Sequence, residues 1–183
     1  GDRGQAIAGI VADAELIPSM EVVNGKLKPF NDGMYAAIEA DLQQGQNGLA
    51  PGKRQFFYDL LDALAARLPD AGPEGVALLD NARVFVAGAL LAGGNQVDVP
   101  VEIEQAAGAA LDVFRANPQL GRPIGFYTWN ELIEEVFAQD RFAQNLDLID
   151  QQGRALFGFG TFAAMAVVLA DDAGLLERYQ RIH

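Results

Sequence analysis

The sequence contains no cysteine, and its only serine and only histidine are Ser19 and His183. Without cysteine the chain has no disulfide, no thiolate zinc site and no cysteine nucleophile. One serine and one histidine at the end of the chain do not provide a Ser-His-acid triad. Helical zinc and di-iron sites need His or Cys beside carboxylates, so we expect neither a metal nor a cofactor.

Positive charge is also scarce, because 13 Lys and Arg residues face 25 Asp and Glu residues and the formal net charge is −12. A surface of this charge repels phosphate groups. We therefore expect no binding to nucleic acid, and a partner that is a protein or a small-molecule ligand of unknown identity. The oligomeric state is left open by the sequence.

Long apolar runs are few, and the longest uncharged stretch covers residues 155–170. Its sixteen residues fall short of the roughly eighteen to twenty that a membrane-spanning helix needs. Glycines at 158 and 160 interrupt it. We interpret this stretch as the buried central helix of the protein, and we expect no integral membrane segment.

Apolar residues recur at helical spacing along most of the chain, and this pattern predicts an all-α fold. We expect a single domain, 1–183, built as a compact bundle of seven or eight helices. The predicted helices cover residues 4–16, 31–44, 51–68, 72–93, 100–117, 129 onward, 155–170 and 172–182.

Residues 20–28 carry the one strong hairpin signal, because Asn24-Gly25 is a favoured pair for a tight turn between two strands. The sequence therefore predicts a small β-hairpin near residues 20–29. Together with the first helix it would form an N-terminal appendage, 1–30, on a helical core, 31–183.

Thr128 followed three residues later by Glu131 has the spacing of a capping box, which predicts a helix that starts at Trp129. Tyr127 and Leu132 are spaced as the hydrophobic staple that accompanies such a cap. Loss of the Thr128 hydroxyl is expected to cost about 1 kcal/mol.

The motif Pro-x-Gly-x-Tyr-Thr at 123–128, with Leu132 and Phe137 downstream, resembles a segment of a bacterial family catalogued only as a domain of unknown function. The resemblance covers about twenty residues, and Phe126 stands where that family has His. It implies an exported helical domain of a larger protein, periplasmic or secreted, with the cytoplasm as the alternative. The chain begins with Gly1 and not Met, which agrees with a piece of a longer protein.

Asp140 falls near the middle of the apolar face of the helix that follows Trp129. A carboxylate there needs a partner, and Arg115, Arg122 and the Tyr127 hydroxyl are the candidates by chain position. Alternatively, the helix breaks at the preceding residue and Asp140 caps the next one. The candidate ligand-binding residues are Asp140, Arg122, Tyr127 and Trp129.

These observations favour a non-catalytic binding or interaction domain of a larger exported bacterial protein. One alternative is an enzyme that uses carboxylates, Tyr or Arg, although the missing nucleophiles make an enzyme the weaker hypothesis. Another is a carrier of a small apolar ligand between the helices. A pocket with converging polar groups would favour an enzyme, a closed cavity a carrier, and an apolar surface patch an interaction domain.

Overall fold

The computed structural model describes residues 20–45 and 52–182, and these residues are mostly helical, as predicted. Within these ranges the chain forms eight α-helices, two 3₁₀ turns and one isolated antiparallel bridge between Ile149 and Ala155. The helices are α1 (Met20–Gln44), α2 (Lys53–Ala66), α3 (Pro73–Ala92), α4 (Val101–Ala116), α5 (Pro118–Gly121), α6 (Glu131–Gln144), α7 (Phe159–Asp171) and α8 (Ala173–Ile182), with 3₁₀ turns at Leu68–Asp70 and Gly125–Thr128. The helix predicted for residues 4–16 lies outside the described residues.

The chain divides into two compact units, Gly1–Met34 and Tyr35–His183. In the described part of the first unit, residues 20–34 are helical, and Lys28 Nζ lies 2.6 Å from Asp32 Oδ2 one turn away. The second unit contains the rest of the chain, from Tyr35 onward.

The hairpin predicted near residues 20–29 is wrong, because these residues lie inside α1. Asn24 and Gly25 have helical backbone and make no turn. The apolar side chains of Val23, Leu27 and Phe30 recur every three or four residues, which is the spacing of a helix. Helical periodicity therefore prevails over the local turn preference of the Asn-Gly pair.

Helix α3 is the centre of the second unit. It contacts α2, α4, α6 and α7, and its residues from Phe85 to Leu90 are all buried. Residues 84–92 are apolar or glycine throughout, which allows this half of the helix to be packed on all sides. Gly88 permits a close approach of α6, because a Cβ atom at this position would lie 2.6 Å from the ring of Phe142.

Residues 155–170 are not the central element that the sequence predicts. Helix α7 begins only at Phe159, and its buried residues are Thr161 and Val168. Phe159 and Val167 are exposed. Helix α7 packs one face against α3. The absence of charged residues from this stretch is therefore explained by partial burial and does not require a central position.

The start of α6 differs from the predicted capping box. Asn130 is the N-cap, and its side-chain oxygen accepts a hydrogen bond of 3.1 Å from the amide of Ile133. Thr128 instead closes the preceding 3₁₀ turn, where its hydroxyl donates to the carbonyl oxygen of Gly125 at 2.9 Å. The positive φ of Gly125, 62°, allows this turn and moves the helix start to Glu131.

Other predicted helix ends are confirmed. Helix α1 stops at Gly45, whose φ of 73° breaks the helical backbone. Pro73 is the first residue of α3, where its missing amide costs no hydrogen bond. The side chain of Asp172 caps α8 by accepting from the amide of Leu175 at 2.9 Å.

By length and composition, α3 is long and apolar enough to cross a membrane. Helices α7 and α8 reach the required length and hydropathy only when they are counted together, and they are bent by 113° relative to each other. In α3, 56% of the apolar window is buried inside the protein, as in the core helix of a globular domain. The described residues therefore contain no clear integral membrane segment.

Candidate ligand-binding pocket

A half-open pocket of about 560 Å³ lies within the second unit. Residues from α2, α3, α6, α7, α8 and the end of α1 line it. Its apolar wall is formed by Phe56, Phe57, Leu60, Phe85, Val86, Phe162, Met165, Leu169, Tyr179 and Ile182. Both the volume and the apolar lining are typical of small-molecule sites.

One wall of the pocket is charged and is organised by Lys53 in the first turn of α2. Its ammonium nitrogen lies 2.6 Å from Asp140 Oδ2 on α6 and 3.1 Å from Glu39 Oε2 on α1. The Lys53 side chain is 8% exposed, whereas those of Glu39 and Asp140 are 26% and 25% exposed. With one ammonium and two carboxylates in their charged forms, this wall carries a net charge of −1.

The Tyr127 hydroxyl extends this cluster by donating to Glu39 Oε1 at 3.4 Å. Its ring packs against Phe137, with the ring centroids 5.0 Å apart. Burial raises the pKa of Tyr127 to about 12, and the negative charges of Glu39 and Asp140 add to this effect. The phenol therefore keeps its proton at neutral pH.

A buried amide pair sets the position of α1 against α6. Gln43 donates to Gln139 Oε1 at 2.9 Å, and Gln139 donates back to Gln43 Oε1 at 3.3 Å. Both side chains are at most 3% exposed, and Asn95 also donates to Gln139 Oε1 at 3.4 Å, so breaking the pair would cost buried hydrogen bonds of both glutamines. Gln43 is one turn after Glu39, and Gln139 directly precedes Asp140. The amide pair thus brings both carboxylates to Lys53.

Asp140 is paired with Lys53, which was not among the partners predicted from chain position, Arg115, Arg122 and the Tyr127 hydroxyl. Helix α6 continues past it to Gln144, so Asp140 does not cap a new helix. It is a quarter exposed, because its side chain reaches the pocket and not the closed core.

The other predicted site residues divide into two groups. Tyr127 joins the cluster through Glu39. Arg122 is exposed, and Trp129 is half exposed with its ring against Phe126. Neither Arg122 nor Trp129 lines the pocket.

Lys53 and Glu39 were missed by the sequence reasoning, although a signal for both is present. Lys53 precedes Phe57 by four residues and Leu60 by seven, so the apolar stripe of α2 extends back to it. Glu39 follows Tyr35 by four residues on α1 in the same way. A charged residue on an apolar stripe indicates a buried ion pair, as it did for Asp140.

Both carboxylates of this wall are engaged by the same ammonium group, and the phenol of Tyr127 stays protonated at neutral pH. Among residues 20–45 and 52–182, no group of His, Cys, Asp and Glu side chains is arranged to hold a metal ion.

Comparisons of this chain with protein-family models, curated proteins and solved structures give no match. The resemblance around residues 123–137, and the location outside the cytoplasm that it implies, stay predictions.

Proposed function

We propose that the second unit is a non-catalytic binding domain that takes up a small, mostly apolar molecule between its helices. The observation that carries the proposal is the pocket of about 560 Å³ with its aromatic and aliphatic wall. Transfer of an apolar ligand into such a space removes its surface from water, which stabilises the complex by about 25 cal/mol per Å² buried.

The concave shape of the site favours a small molecule over a protein partner. Protein interfaces are typically broad and bury on the order of 800 Å² on each partner. Here the apolar side chains, including Phe162 and Met165, line a hollow between helices. The molecule that fits is one whose apolar body fills the hollow and whose polar end reaches Glu39, Lys53 and Asp140.

A carboxylate-dependent enzyme is the second candidate, favoured by the convergence of Glu39 and Asp140 on one wall and by the hydrogen bond from Tyr127 to Glu39. The shared pairing of both carboxylates with Lys53 supports binding instead. Mass spectrometry of the bound molecule separates the two, because a binding domain returns it unchanged and an enzyme converts it.

Binding of 1-octanol, measured by isothermal titration calorimetry, tests the proposed function. We expect saturable binding with a negative heat-capacity change, which is the mark of apolar surface leaving water. Ala143 on α6 lines the pocket. The substitution Ala143→Phe fills part of the hollow, so it should weaken octanol binding at least about tenfold, or ~1.4 kcal/mol.

The matched control is Ala106→Phe, at an exposed position of α4 that does not line the pocket. It adds the same ring to a helix surface and should leave octanol binding unchanged. Equal affinities of the two variants would show that octanol binds elsewhere, and absence of binding by the unsubstituted protein would refute the proposed function.

A further inference from the structure

We infer that the pocket selects ligands with a positively charged amine head group. The ligand class is then a small amphipathic amine, whose apolar chain lies among the aromatic residues and whose ammonium group meets Glu39 and Asp140. This inference rests on the proposed function, since it specifies the polar end of the molecule that occupies the same pocket.

The first support is the unequal exposure of the three charged side chains. Lys53 is 8% exposed, while Glu39 and Asp140 keep about a quarter of their side-chain surface accessible, at 26% and 25%. Among the three charged side chains, the surface open to a ligand therefore belongs mainly to the two carboxylate residues. Glu39 also accepts from the Tyr127 hydroxyl, and since a carboxylate offers about four lone-pair sites it can accept from more than one donor at once.

The second support is the sign of the electrostatic potential. The charged wall has a net charge of −1, and the formal net charge of the chain is −12. Burial is the largest cause of the raised pKa of Tyr127, and the negative charge of Glu39, followed by that of Asp140, raises it further. A cation gains from this potential, whereas an anion is repelled.

The third support is the aromatic wall. Phe56, Phe57 and Tyr179 line the pocket together with the two carboxylates. The faces of aromatic rings attract cations, with the strongest effect where water is excluded. Carboxylates beside aromatic rings are a combination suited to an alkylammonium ion.

An anionic head group, such as that of a fatty acid, does not fit this wall. Its natural partner would be Lys53, but the ammonium group already donates to Glu39 and Asp140. A ligand carboxylate would also lie beside two others and would repel both. The same argument favours an amine over a neutral alcohol, which gains a hydrogen bond but no charge attraction.

The test compares three probes with one chain length, octylammonium, 1-octanol and octanoate, by isothermal titration calorimetry at neutral pH. We expect octylammonium to bind about tenfold more tightly than octanol, and octanoate to bind most weakly. The preference for octylammonium should shrink as salt is added, because ions screen partly exposed charges.

Substitutions of the two carboxylate residues test whether they cause the preference for octylammonium. Glu39→Gln and Asp140→Asn should each weaken octylammonium binding on the order of fivefold and leave octanol binding nearly unchanged. Glu134→Gln removes the same charge from the exposed face of α6 and is the matched control, with no expected change.

Equal binding of octylammonium and octanol by the unsubstituted protein, or tightest binding of octanoate, would overturn the inference and leave the proposed function standing. If none of the three probes binds, the proposed function is wrong and the inference falls with it. The comparison of probes needs no variant, so it holds even if a substitution perturbs folding.

Discussion

At the scale of single residues, Lys53 is the group on which the site depends. A cation in the first turn of a helix opposes the helix dipole, and a buried ammonium group is costly without partners. Glu39 and Asp140 offset both effects by placing two carboxylates within 3.1 Å of its nitrogen. The charged wall is therefore a structural requirement of Lys53 as well as a possible head-group site.

The pKa of Tyr127 reports both its burial and the negative charge at this wall. Its pKa is raised from 10.0 to about 12 by burial and by the charges of Glu39 and Asp140. We expect a spectrophotometric titration of the folded protein to show one phenol that keeps its proton until about pH 12. This late step should disappear in Tyr127→Phe and persist in Tyr35→Phe, which changes an exposed tyrosine.

The same shift links stability to pH. The unfolded chain releases the Tyr127 proton near pH 10 and the folded protein near pH 12, so between these values the folded state binds more protons. The free energy of unfolding therefore falls as pH rises through this window. The unsubstituted protein should lose more stability than Tyr127→Phe, and equal losses would mean that folding does not raise the pKa of Tyr127.

At the scale of the helices, short sequence signals predict where a helix begins or ends better than they predict which other helices it packs against. Gly45, Pro73 and Asp172 end or begin helices as expected, because their effects act within one turn. Asn130 has the chemistry of a cap, but the Thr128 and Glu131 pair has the spacing of a capping box and suggested a start two residues earlier. The 3₁₀ turn that engages Thr128 is formed by Gly125, which sequence spacing does not reveal.

The cap of α6 can be tested with a matched pair of substitutions. Asn130→Ala removes the acceptor of the Ile133 amide and should lower the free energy of unfolding by about 1 kcal/mol. Thr128→Ala removes an exposed hydrogen bond to Gly125 and should cost less than about 0.5 kcal/mol. Urea denaturation midpoints give both values, and a larger loss for Thr128→Ala would restore the capping box.

Misread elements have a common physical cause. The Asn24-Gly25 pair favours a turn in isolation, yet it lies within a helix that is set by a longer periodicity. Residues 155–170 lack charge, yet α7 buries only part of its surface against α3. In each case the outcome is decided over a whole helix, which a short window of sequence does not contain.

At the scale of the whole molecule, the fold class follows from periodicity, but the site follows from tertiary contacts. The position of Asp140 on an apolar face indicated a paired carboxylate. Its partner, Lys53, lies 87 residues earlier in the chain, and proximity in sequence suggested three other groups. The register that unites Lys53 with Glu39 and Asp140 comes from the amide pair of Gln43 and Gln139, which has no signature in the sequence.

The central claim, that a small apolar molecule binds in the pocket of the second unit, is tested most directly by NMR of the methionine methyl groups. The chain has three methionines, and only Met165 lines the pocket. Met20 and Met34 are exposed residues of the first unit and serve as internal controls. The account predicts that 1-octanol shifts the Met165 methyl signal in a saturable manner and leaves the other two in place. An unchanged Met165 signal, or equal shifts at all three methyl groups, would contradict it.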